Sequence, residues 1–133
     1  MRIAFRISLV AAILLQLAGT AWADEVTEWN KIMLEELRVA GIAGVVATRQ
    51  AATVQAAVYD AVNGIERRFT PIHVEPDAVP GSSVRAAAIQ AAYATLIQIV
   101  PASQKPGLDA KREASLSALN DDKGPPSAAP LSQ

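Results

Sequence analysis

The chain has 133 residues, 51% of them hydrophobic, with 12 basic and 13 acidic groups, a net charge of −1 and no cysteine. The missing cysteine excludes disulfides, thiol catalysis and thiolate metal sites, so the fold must hold by packing alone. The balance of charge argues against nucleic acid as a partner, which would need a basic patch, and the length points to one domain.

Residues 1–23 read as a secretory signal peptide. Arg2 and Arg6 supply a positive start, Ile7 to Leu17 an apolar run, and Ala21-Trp22-Ala23 a small-residue cleavage site. The competing reading, an uncleaved membrane anchor, needs about 20 apolar residues, and this run is shorter. Cleavage after Ala23 removes Arg2 and Arg6 from the 12 basic groups, leaving 10 against 13 acidic ones, a net charge of −3. The expected location is secreted or periplasmic, with no membrane partner once the signal is removed.

A first helix is predicted from about Glu25 to Ala40. Val26, Trp29, Ile32, Met33, Leu37 and Ala40 share one face at helical spacing. Asp24 and Thr27 are the capping candidates, and Gly41 ends the helix. The short link through Gly44 predicts that the first two helices pack as antiparallel neighbours.

The longest helix signal lies in the stretch Arg49 to Phe69, extended back to Val46. Val54, Ala57, Val58, Ala61, Val62 and Ile65 recur at steps of three and four. Ala51, Ala52, Ala56, Ala57 and Ala61 raise helix propensity and permit close packing. The end is expected near Arg67, since Pro71 blocks continuation. Tyr59, Asp60 and Asn63 are the polar residues of interest in this helix, with Asp60 and Asn63 on one face. They read either as a polar site between helices or as a cluster whose members satisfy buried hydrogen bonds, or as a solvated edge.

After Phe69, Pro71, Pro76, Pro80 and Gly81 mark a Pro-rich, extended loop. It contains His73, the only histidine. One histidine is a poor basis for a metal site, which needs several convergent ligands, and Glu75 and Asp77 complete no known spacing with it. A third helix is predicted from Val84 to Val100, capped by Ser82 or Ser83 and stopped by Pro101. Its buried side is expected to carry Ala88, Ala91, Ala92, Thr95, Leu96 and Ile99. A fourth, more polar helix is expected from Ser103 to Leu119, delayed by Pro106-Gly107. Residues 120–133, rich in Asp, Pro, Ser and Ala, read as a disordered tail.

The segments W-N-K-I-M-L-E-E-L-R (29–38), T-R-Q-A-A-T-V-Q-A-A-V-Y-D-A-V-N-G-I (48–65), E-R-R-F-T-P-I-H-V (66–74) and A-A-A-I-Q-A-A-Y-A-T-L-I-Q-I-V-P (86–101) carry a resemblance. Together they resemble the N-terminal helical region of bacterial vanadium-dependent haloperoxidase-related proteins, of the type 2 phosphatidic acid phosphatase superfamily. The similarity covers most of the chain from Glu28 to Asn120. It implies an all-α fold and, for the full-length family, vanadate as cofactor and either halide oxidation or phosphate ester hydrolysis.

The family's chemistry surrounds an oxyanion with cations and hydrogen-bond donors and uses two histidines. Its motifs resemble K-x6-R-P, then P-S-G-H, then S-R-x5-H. This sequence has K-x6-R at Lys31…Arg38 and Lys105…Arg112, followed by Val39 and Glu113 where the motif has proline. It has no P-S-G-H, and one histidine cannot serve a two-histidine mechanism. No catalytic, cofactor-binding or metal-binding residue is therefore assigned. A Ser/His/Asp hydrolase is disfavoured too, because no Gly-x-Ser-x-Gly elbow occurs.

The sequence thus leads to a secreted, all-α chain of about four helices in a partial helical bundle, spanning 24–119. The expected role is a non-catalytic N-terminal scaffold, with no cofactor of its own, that packs against a missing or separate catalytic helical bundle. The alternative is a stand-alone periplasmic helical binding or interaction module, whose feature would be an exposed apolar groove among the Ala-rich helices.

Overall fold

The computed structural model describes residues 24–121 except Pro76 and Pro80. It contains α1 (Asp24–Val39), α2 (Gly44–Glu66), α3 (Val84–Ile99) and α4 (Lys105–Asp121), with a 3-10 turn at Ala102–Gln104 before the last helix. The described residues contain no strand, and the fold is all-α as the periodicity indicated. The proposed signal peptide 1–23 and residues 122–133 lie outside the described residues. Helix α4 continues to Asp121, two residues into the stretch expected to be disordered.

The hub of the bundle is α3, not α2. Helix α3 packs against α2 most extensively and also against α1 and α4. Its sequence explains this position. Ala88, Ile89, Ala92 and Leu96 are buried, while Ala86, Ala91, Tyr93 and Ile97 are partly buried around the rest of its circumference. A helix that is apolar nearly all round belongs in the middle of a bundle. Ile89 is fully buried although the expected buried face omitted it; Ala91, Thr95 and Ile99, which that face included, are only partly buried.

Helix α1 contributes Trp29, Met33 and Leu37 to the core, the i, i+4, i+8 stripe expected. Gly41 ends it in a Schellman arrangement. Its N–H donates to the Arg38 carbonyl at 3.1 Å, and the Ile42 N–H donates to the Leu37 carbonyl at 2.9 Å. Gly41 sits at φ +70°, which glycine adopts without a Cβ penalty. Helices α1 and α2 do touch, but α1 touches α2 far less than it touches α3. The apolar stripe of α1 finds more apolar surface on α3, and the first turns of α2 run out into solvent, with Val45 86% exposed.

Helix α2 buries Val54 and Val58, while Val62, Ala57, Ala61 and Ile65 are only partly covered. It ends at Glu66, close to the expected position, with Arg67 in the left-handed region at φ 52° as its cap. Asn63-Gly64 does not stop it. Ser83, one of the two expected caps of α3, accepts a hydrogen bond from the Ala86 N–H at 3.2 Å. Helix α4 begins at Lys105, so Pro106-Gly107 sits inside its first turn and does not delay it. Proline fits there because first-turn amides lack intrahelical acceptors.

Helix α4 is held by Leu108 and Leu119 in the core and by polar ties to α1. The indole N–H of Trp29 donates to Ser115 Oγ at 3.3 Å. Glu36, buried on α1, pairs with Lys111 and accepts from Gln104. Glu25, also buried, pairs with Arg85 of α3. These two buried acids escape a hydropathy reading, because their place is set by partners sixty or more residues away.

Candidate functional site

Tyr59, Asp60 and Asn63 of α2 meet the returning loop. After Arg67 the chain doubles back along α2, and Asn63 and Asp60, one helical turn apart, receive it. Asn63 Nδ2 donates to the Phe69 carbonyl at 2.7 Å, and the Phe69 N–H donates to Asn63 Oδ1 at 2.8 Å. The N–H groups of Ile72, His73 and Val74 then donate to the Asp60 carboxylate at 2.7, 2.8 and 2.9 Å. Tyr59 adds a bond from its hydroxyl to the Thr70 carbonyl at 3.3 Å.

Both Asp60 and Asn63 are buried. The hydrogen bond from the Val74 amide, with those of Ile72 and His73, holds the Asp60 carboxyl below the usual aspartate range, against the opposing effect of burial. The hydrogen-bonded-cluster reading of Tyr59, Asp60 and Asn63 is the one the structure bears out. The three residues splint a loop.

The splint has a consequence for the surface. Phe69, Ile72 and Val74 are held outward and remain mostly exposed. Beside them a groove of about 680 Å³ runs along α2. Its floor is Ala52, Ala56, Ala57 and Ala61, with Ile72 and Val74 from the loop and Thr95 from α3 along its sides. Arg49 and His73 stand among the lining residues, and Asp60 contributes its already occupied carboxylate.

The remaining charged residues do not gather around this groove. Glu75 and Asp77 line a smaller hollow of about 420 Å³ with Asn63, Arg67 and Phe69, apart from His73. Neither K-x6-R pair forms a phosphate cradle. Arg38 is tied to Glu35 of its own helix at 2.7 Å, and Arg112 stacks 4.4 Å from the centre of the Tyr93 ring. Tyr93 in turn donates to Asp109, which raises its phenol above the ordinary value. Among the described residues no group of three or more histidine, aspartate or glutamate side chains is placed to hold a metal ion. No described helix is long and apolar enough to cross a membrane.

The sequence pointed to Asp60 and Asn63 through their spacing, but not to what they hold. A groove among the Ala-rich helices is what the binding-module reading expects, but its place and its walls were not legible. Its floor is alanine, which reads as helix propensity, and its walls arrive from residues outside α2. Comparison with known proteins finds no matching family model, no matching curated protein and no matching solved structure.

Proposed function

We propose that this chain is a non-catalytic helical scaffold, of the kind found at the N-terminus of secreted vanadium haloperoxidase-like and acid phosphatase-like proteins. Its apolar α2–loop face packs against a helical bundle that carries the chemistry. The observation that supports this reading is the splinted loop. Five hydrogen bonds from two buried side chains hold Phe69, Ile72 and Val74 facing solvent. An exposed apolar patch held by a rigid support is characteristic of an interaction surface.

The reading has a direct test. The purified chain is titrated with vanadate under vanadium NMR and assayed with a phosphomonoester. It is expected neither to bind vanadate saturably at micromolar concentration nor to hydrolyse the ester; either activity would sink the scaffold reading. Co-purification from the native host with a larger protein carrying P-S-G-H supports it.

A second reading is a helical binding module outside the cytoplasmic membrane, and the α2 groove favours it. The groove has the volume of a small-molecule site and an apolar lining with few polar groups, the usual make-up of ligand pockets.

A further inference from the structure

We propose that the α2 groove binds a long-chain carboxylate, a fatty acid anion lying along the helix with its headgroup at Arg49. This rests on the binding-module reading and names its ligand. From Arg49 to Ala61 the helix rises about 18 Å. Over that length the floor is mostly the methyl groups of Ala52, Ala56, Ala57 and Ala61, joined by Thr53. Ile72 and Val74 from the splinted loop give one apolar flank. The result is a channel suited to an extended alkyl chain.

The threonine hydroxyls and the aspartate of the groove are already engaged. Thr53 Oγ1 donates to the Arg49 carbonyl at 3.0 Å, and Thr95 Oγ1 donates to the Ala91 carbonyl at 2.8 Å. Asp60, some three helical turns from Arg49, already accepts from three loop amides. The guanidinium of Arg49 is different. It is exposed and has no hydrogen bond or ion pair among the described residues. Besides the exposed His73 ring, the donor left at the groove is the Arg49 cation, at the end away from the Asp60 charge. An anionic head on an apolar chain satisfies both features, and a carboxylate accepts from guanidinium in a bidentate manner. A neutral hydroxyl head offers Arg49 a single uncharged acceptor, and a cationic head is repelled by it.

The test uses the purified full chain and the neutral dye Nile red. Dye uptake reports the groove, and displacement reports its ligand. Dodecanoate is expected to displace the dye saturably below its own micelle threshold, about fivefold more tightly than dodecanol. Dodecyltrimethylammonium is expected to bind more weakly than either. Arg49→Gln should abolish the preference for carboxylate. Ala52→Leu, at an exposed floor position, should block dye and dodecanoate together with an unchanged circular dichroism spectrum, and Ala56→Leu repeats the test one turn along. If dodecanoate shows no preference over dodecanol, or keeps it in Arg49→Gln, the carboxylate site is refuted while the groove stands. If the folded chain takes up no dye, both fall.

Discussion

Replacing Asn63 tests whether a side-chain splint, and not simple packing, holds the loop. Asn63 is 5% exposed and makes a reciprocal pair of bonds with the Phe69 peptide at 2.7 and 2.8 Å. Each neutral bond contributes about 1 kcal/mol net. Phe69 is 63% exposed, so its freed N–H and carbonyl regain water and add little further penalty. Asn63→Ala should therefore cost about 2 kcal/mol in urea denaturation followed by circular dichroism, a fall in Tm of roughly 8–16 °C for a domain of this size.

The decisive variant is Asn63→Asp. It keeps the acceptor for the Phe69 N–H but turns an oxygen toward the Phe69 carbonyl, and it adds a charge one turn from Asp60. The new carboxyl would have a raised folded pKa. Its penalty is then full above that value and is relieved as pH falls below the unfolded one. Asn63→Asp should be less stable than Asn63→Ala at neutral pH, and the gap should close in acid. If Asn63→Ala lies within about 0.5 kcal/mol of the parent, or Asn63→Asp is no worse than alanine at neutral pH, the splint contributes nothing and the reasoning fails.

Two more perturbations separate the splint from the bundle. The Asp60 carboxyl is lowered in the fold, so the stability it contributes is fully present above the unfolded aspartate value and is lost as pH falls through the folded one; Asp60→Asn should be less stable at neutral pH and show a flatter loss in acid, read from denaturation midpoints across that window. Leu108 is fully buried and anchors α4, so Leu108→Ala should cost about 2–5 kcal/mol; a loss under about 1 kcal/mol in the same denaturation experiment would mean that α4 is not docked as described.

The four helices were legible in the sequence because each carries its own period and its own stops. Trp29, Met33 and Leu37 mark a single stripe, Gly41 supplies the left-handed residue of a Schellman end, and Ser83 caps α3 through a bond to the amide three residues on. These are local facts, settled within one or two turns, and they fixed the fold class and most helix ends. The surprise at Pro106 was local as well, since proline at a helix start is a permitted position and not a delay.

What only the tertiary structure decided is which helix others surround and what the polar residues hold. Helix α2 is the longest, yet α3 is the centre, because a helix apolar nearly all round gives a weak period and a buried place. The spacing of Asp60 and Asn63 puts them on one face; that the face receives the amides of Ile72, His73 and Val74 depends on a chain reversal that no local signal specifies. The groove depends on that same reversal. Alanines along α2 become a floor only once a splinted loop and α3 stand beside them. Helical period is a property of neighbours in sequence, whereas a pocket is a property of neighbours in space.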